Sequence, residues 1–453
     1  ENGVLLSERT EIPARISDGK TINPEELARI VIGLLSKTVK SAKHGASAVC
    51  LSTIFPTLLA LDSKGRPLTK ILTWMDNSAA PIVASFKQRT KSPGIHRKTG
   101  CVVHESYPLW KILLLKKNSP EVFSKTEKFV SLSEYLTYKL TGKFIISNSI
   151  ASTTSMFNTK TLDWDDSILD MAGISREKLS EPCSVFHQEK IINGILSKTG
   201  LRNNACLVLG AGDGLLSHLG TGCAKDKIMS STLGTSGALR LSSPRLVTGN
   251  TRLWHYNLDD KTWVSGSAIN SGWSTLKWFE TNVKNFRFSD AKLKNRDFKG
   301  PVFLPFINGE RGPGYNQNMR AALIGINQKL KLEELYSSVA EGILFNLYSC
   351  YELITEELGG PLQIRASGGY TTADNMLQMQ ADIFNKEIII TNALEASAVG
   401  ASILALKSLD EISSITEISP RIKKTFKPDK EKHKAYMKRY ETYEKAYSIM
   451  SKN

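Results

Sequence analysis

Cysteine is scarce in this chain, and what there is forms no recognisable clasp. The 453 residues carry six cysteines, Cys50, Cys101, Cys183, Cys206, Cys223 and Cys350. None makes a C-x-x-C pair, which excludes a zinc-finger spacing and a disulfide framework and makes a reducing, cytoplasmic setting the expectation. Long apolar runs are also missing. No stretch reaches the length of a bilayer span and no signal peptide is visible, so no membrane partner is expected. No nucleic-acid-binding motif is found, although Lys and Arg number 59 against 44 Asp and Glu, for a net charge of +15. The basic residues are scattered except in the tail Arg421–Arg439, where acids and aromatics interleave as in a terminal helix. The charge therefore reads as solvated lysine faces, and no nucleic-acid partner is expected.

Apolar residues make up 41% of the chain and charged residues 23%. That is ordinary globular composition, with length for two or more domains. Short apolar strands alternate with longer helical segments, which argues for an α/β fold. Ala48–Ser52, Leu58–Asp62, Ile71–Trp74 and Lys143–Ile146 read as strands, and Pro108–Lys117 and Leu132–Leu140 as helices. Glu134, Tyr135 and Tyr138 then look like plain helix-face residues. Strand, glycine turn and helix recur from Ala205 and again from Leu362 to Phe384. A further strand, Glu387–Thr391, leads to a helix, Glu395–Leu406, whose Ala398, Gly400, Ala401 and Ala405 would let it sit close to a sheet. The recurrence in both halves suggests two similar domains with a cleft between them.

The most informative stretch is Leu207–Leu239, LVLGAGDGLLSHLGTGCAKDKIMSSTLGTSGAL. A strand end, Leu207–Leu209, opens into Gly210, Gly212 and Gly214 around Asp213. An acid at such a point can take a proton from a hydroxyl, whereas the bland alternative is a cap for the helix that begins near Gly214. A second strand, Ile228–Leu233, ends in Gly234-Thr235-Ser236-Gly237. That turn can offer several N–H groups to an anion such as phosphate, or serve as an ordinary hairpin turn. Gly368-Gly369 has the same two readings. Together these features point to phosphoryl transfer to an alcohol. The boundary between halves is placed at 224/225, so that the acid and the phosphate loop lie in different halves and closure would assemble the site.

These segments resemble the FGGY family of carbohydrate kinases, most closely its gluconate kinase branch, over nearly the whole chain. The pieces are LTWMDN (Leu72–Asn77), TGCVVHESYPLWKI (Thr99–Ile112), SLSEYLTYKLTGKF (Ser131–Phe144), SIASTTSMFNTKTLDWD (Ser149–Asp165), LGAGDGLLSHLGTG, STLGTSGALR, WVSGSAINSG (Trp263–Gly272), FLPFINGERGPGYN (Phe303–Asn316), ASGGYTTADNMLQMQADIF (Ala366–Phe384) and EASAVGASILAL (Glu395–Leu406). Ten pieces in the family's order carry the likeness. It implies two ribonuclease-H-like domains of the actin and hexokinase type, residues 1–224 for the sugar and 225–453 for the nucleotide, flanking a cleft. It implies ATP and Mg2+ as cofactors, and Asp213 as catalytic base. Gly234, Thr235, Gly272, Gly368 and Gly369 would lie against the nucleotide, and Trp74, Asp76 and His104 would form the sugar wall.

The chain departs from the family pattern at several points. The family's opening strand and Asp-x-Gly-Thr-Thr turn are not seen, and Glu1–Glu8 reads as the return strand of that hairpin. Phe55-Pro56 replaces a Met-His pair, and Ser78 stands at an arginine position. Trp273 replaces a glycine beside Gly272, and Ala373 a polar residue near the nucleotide. Arg311, in Gly309-Glu310-Arg311, reads as half of a Glu–Arg brace. The expected activity is ATP-dependent phosphorylation of a sugar or sugar acid, foremost gluconate. Xylulose- or glycerol-type acceptors, or a non-catalytic binding protein, are the alternatives, and a homodimer is left open.

Overall fold

A computed structural model of the protein describes residues 7–42, 45–89, 94–287, 289–293, 300–393 and 395–452. In the second half, Ile228–Leu233, Gly237–Ser243, Thr262–Ile269 and Trp254–Asp259 pair antiparallel in sheet order. On the other side of Ile228–Leu233, Gln363–Ser367 and Ile388–Thr391 run parallel to it, and Ile422–Phe426 closes that edge antiparallel. The result is a seven-stranded sheet. Helices Leu332–Leu358, Asp374–Phe384 and Lys430–Met450 share one apolar cluster with it. Connections between the parallel strands run through helices, as parallel pairing requires.

The first half is built around a three-stranded sheet, with Cys206–Gly212 between Gln188–Lys190 and Ala48–Thr53. Cys206–Gly212 runs parallel to Ala48–Thr53, with a bulge between Val208 and Ala211. Gly210 sits there at φ +71°, and a Cβ on it would stand 2.0 Å from the Leu51 carbonyl oxygen. Only glycine lets the two strands approach so closely just before the strand delivers Asp213.

The two halves are not independent cores. Helix Ala396–Ser408, late in the chain, packs on helix Asp213–Gly220. A Cβ at Gly400 would lie 2.0 Å from Leu216 O, and one at Gly220 would lie 1.9 Å from Ala396 O. Leu215, Leu216 and Leu219 bury in one cluster with Ala401, Ile403 and Leu404. The small residues expected to bring this helix close to a sheet therefore bring it onto a helix as well.

Three other local expectations change. The tail Arg421–Arg439 is not all helix: Ile422–Phe426 is an edge strand, and the helix is Lys430–Met450. Glu134 is no plain helix-face residue, because it is buried and forms a reciprocal cap with Ser131. A long helix, Pro24–Ser41, was not anticipated, although the Asn23 side chain caps it and Pro24 opens it. Of the expected return strand Glu1–Glu8, residues 1–6 lie outside the described residues, and Ser7 and Glu8 are not in a strand. Among the described residues, no helix is long and apolar enough to cross a membrane.

Candidate active site

Strand Cys206–Gly212 ends against the ring of Phe55, where a Cβ at Gly212 would come within 2.2 Å of the ring. The chain then turns directly into helix Asp213–Gly220. Asp213, the first helical residue, stands half-buried on a cleft of about 780 Å³. Its Oδ1 accepts the Gly214 N–H at 2.7 Å. Burial pushes the carboxyl above the ordinary aspartate range, partly offset by that hydrogen bond and by the Arg240 charge. A desolvated carboxylate that stays accessible is a better base than one fully in water. The helix is pinned from behind by His218. Its two ring nitrogens lie 2.7 Å from Ser230 Oγ and 2.8 Å from Ser242 Oγ, so it bridges two strands of the large sheet.

One stretch of the cleft is made of backbone and small polar side chains. Thr232, Ser236, Gly237, Ala238, Ser367, Gly368, Thr371 and Thr372 all line it. They gather where Ile228–Leu233 and its parallel neighbour Gln363–Ser367 end side by side, joined by Thr232 Oγ1 and Ser367 Oγ at 2.9 Å. Gly368 has φ +93°, and a Cβ there would sit 2.8 Å from Leu233 O, while a Cβ on Gly369 would meet nothing within 4 Å. The first glycine is thus required by the turn, and the second leaves open space. Gly234, Thr235, Gly272 and Gly369 do not themselves line the cleft. Gly272 backs the turn instead: a Cβ on it would lie 2.4 Å from Gly234 O, and Trp273 N–H donates to that same oxygen at 2.7 Å. Trp273 thus contributes its backbone to holding the loop. Ala373 is buried beneath the turn.

Side chains brought from distant segments build the other stretch. Phe55, Trp74, Trp254 and Tyr256, with Pro56 among them, present a largely aromatic wall. Arg311 joins it, its guanidinium 5.1 Å from the centroid of the Trp74 ring. This overturns the expected Glu–Arg brace. The buried carboxylate of Glu310 accepts instead from Tyr447 Oη at 2.7 Å and Gly314 N–H at 2.8 Å, freeing Arg311 to reach the cleft. Asp76 and His104 do not line the cleft. Asp76 accepts from Ser78 Oγ at 2.5 Å. His104 lies 3.3 Å from Glu105 and meets the ring of Tyr315 edge-on, with centroids 5.5 Å apart. Burial, helped by the charges of Arg311, Lys87 and Lys111, holds its imidazole neutral well below the usual histidine range.

Two cations in this neighbourhood escaped the sequence reading. Lys111 is buried, donates to the Thr73 carbonyl, and is pushed down to about 8 by desolvation against the pull of Asp76 and Glu105. Arg240 lines the cleft beside Gly214, where a Cβ would stand 2.6 Å from its Nη2. The available signal was an arginine in a strand directly after a glycine loop, flanked by the buried Leu239 and Leu241.

Two α/β units around a cleft, one wall of glycine and hydroxyl residues and the other of aromatics and charge, make a small-molecule phosphotransferase of the ribonuclease-H-like type. The chain belongs to the FGGY family of carbohydrate kinases. Residues 4–220 match that family's N-terminal domain and residues 229–409 its C-terminal domain. The chain is 31% identical over 450 residues to a gluconokinase from Bacillus subtilis (strain 168), covering 94% of this chain and 88% of that protein. The crystal structure of gluconate kinase from Lactobacillus acidophilus matches with a TM-score of 0.90 at 27% identity, over 95% of this chain and 89% of the other. That of ligand-bound xylulose kinase from the same organism matches at 0.91 and 27%, over 95% and 90%.

Proposed function

We propose that this carbohydrate kinase transfers the γ-phosphoryl group of ATP to a hydroxyl of a sugar acid, gluconate. The observation that carries the reading is the placement of Asp213. A desolvated carboxylate shares one cleft with the glycine-hydroxyl turns at Ser236-Gly237 and Ser367-Gly368. Asp213 takes the proton from the acceptor hydroxyl while the backbone N–H groups of the turns hold the phosphate oxygens in line. Gly234, Thr235 and Gly272 shape the loop, Gly368 makes the turn that faces the nucleotide, and Gly369 keeps the space beside that turn open. Trp74 offers a face to the sugar, while Asp76 and His104 support that wall from behind. Among the described residues, no group of three or more His, Cys, Asp and Glu is placed to hold a metal ion. A magnesium ion accompanying the nucleotide would supply charge neutralisation at the phosphates. Units 1–224 and 225–453 join near Lys225 and through helix Ala396–Ser408, which packs on helix Asp213–Gly220, and the six free cysteines suit a reducing cytoplasm.

Arg311 favours an acid over a neutral sugar. A cation stacked on an aromatic face of the cleft can pair with a carboxylate bidentately, which answers the loss of the arginine at Ser78. The test is acceptor-dependent ADP release by the full-length protein with gluconate, xylulose and glycerol. Gluconate is expected to give the highest kcat/KM. Arg311→Met is expected to raise the gluconate KM by roughly ten- to a hundredfold, the size of one charge-assisted hydrogen bond, with little effect on neutral acceptors. Preference for a neutral polyol, unchanged in Arg311→Met, would reject gluconate as the acceptor.

A further inference from the structure

Arg240 has a charge and too few partners. It lies half-buried on strand Gly237–Ser243 and opens onto the cleft. Its Nη1 donates to Thr232 Oγ1 at 3.2 Å. Its Nε is buried with no hydrogen-bond partner among the described residues. No carboxylate oxygen lies within 4.0 Å of its guanidinium among the described residues. Structural arginines in such surroundings are normally held by a carboxylate, because an uncompensated cation out of water is costly. Glu341 provides that service for Arg439 in this same chain, at 2.6 Å. Arg240 has the surroundings of a structural cation but no close ion pair, only the longer-range charge of Asp213, so an anionic ligand is the natural close partner.

Its position says which anion. On one side it touches Gly214, at the head of the helix that begins with Asp213. On the other it bonds Thr232, which is tied to Ser367 next to the Gly368 turn. The guanidinium thus spans the gap between the base and the floor of the phosphate loops. Under the proposed function the acceptor's carboxylate is assigned to Arg311, which is held over Trp74 and whose charge is felt at Arg240.

We infer that Arg240 is a catalytic residue that binds the phosphoryl group in transit between nucleotide and acceptor. The inference rests on Asp213 as the base. As the acceptor oxygen bonds to phosphorus, its proton passes to Asp213, and the bond from phosphorus to the β–γ bridging oxygen breaks with its electron pair leaving on ADP. Charge on the equatorial oxygens is then met by the Arg240 fork, a planar donor set suited to phosphate. The products are the phosphate ester, ADP and a protonated Asp213 that returns its proton to solvent.

The experiment measures steady-state kinetics of Arg240→Met and Arg240→Lys in the full-length protein, with whichever acceptor the wild type turns over best. In Arg240→Met, kcat is expected to fall by at least about a hundredfold, as when one preorganised charge donor is removed. KM for both substrates is expected to stay within a few-fold, with part of the rate restored by millimolar guanidinium ion. Arg240→Lys keeps charge and bulk, guards against a folding failure, and is expected to fall between the two. A loss confined to the acceptor KM would overturn the proposal and make Arg240 the reader of the acceptor's acid group. A kcat within about fivefold of wild type in both variants would overturn it outright. Because any acceptor serves, rejection of gluconate leaves this test standing.

Discussion

The two stretches of the cleft are built by different means. The stretch assigned to the phosphates is mostly backbone and small polar side chains, in two short turns at the ends of adjacent parallel strands, with Arg240, Asp374, Lys423 and Lys424 on the same cleft. The acceptor side is side chains, with Trp74, Arg311, Phe55 and Tyr256 arriving from segments far apart in the chain. Phosphates are alike in every nucleotide, and N–H groups held by a turn can grip them without any particular side chain. A sugar acid has to be told from its neighbours by pockets, rings and charges, which are properties of side chains. Asp213 stands where the two meet.

Breaking that junction should have the largest effect. Asp213→Asn keeps shape and removes the base, so sugar phosphorylation should drop by at least about a hundredfold. Nucleotide affinity, set by the backbone side, should be retained when measured by titration calorimetry. The backbone side itself is probed by two neighbouring glycines. Gly368→Ala forces a side chain into φ +93° and to 2.8 Å from Leu233 O. It should cost ~1–3 kcal/mol of stability and weaken ATP without changing the acceptor KM. Gly369→Ala meets nothing within 4 Å and should stay within ~0.5 kcal/mol of wild type. Equal melting temperatures for the two variants would contradict the assignment of the strained turn.

The framework under both stretches can be read through pH. His218 is held neutral down to about 3 by burial and by the Arg240 charge, and His255 likewise by burial and by His96, against an ordinary 6.5. Below 6.5 the unfolded chain binds protons that the fold refuses. Stability is therefore highest above that pH and is lost as pH falls from about 6.5 toward 3, by ~1.4 kcal/mol per pH unit for each histidine. Urea midpoints at successive pH values should show this slope, and His218→Gln should make it shallower. An unchanged slope in His218→Gln would contradict the neutral bridge to Ser230 and Ser242.

The difference between the two stretches also explains what was legible in the sequence. Asp213 and the turns at Gly234 and Gly368 announced themselves, because a glycine-rich turn at a strand end is a local pattern. The alternation of strands and helices gave the α/β class for the same reason. Arg311 was misread because nothing near Glu310 shows that this carboxylate belongs to Tyr447, on the terminal helix. Lys111 and Arg240 were passed over because their meaning lies in what surrounds them in space. The strand Ile422–Phe426 was read as helix because its lysines interleave with other residues as on a solvated helix face. At a sheet edge, exposed lysines are equally at home and guard against further pairing. Gly272 carried a local signal of another kind. Its lack of a side chain serves the loop behind it, which sequence spacing cannot tell from contact with a nucleotide.

The account rests on a desolvated carboxylate at the head of helix Asp213–Gly220 taking the acceptor's proton. The most direct test is the pH dependence of kcat/KM for the acceptor, in the wild type and in the residual activity of Asp213→Asn. The wild type should show an acidic limb of unit slope with its midpoint above 3.8, the ordinary aspartate value, and the variant should lack that limb. The same limb in both proteins would place the base elsewhere and contradict the account.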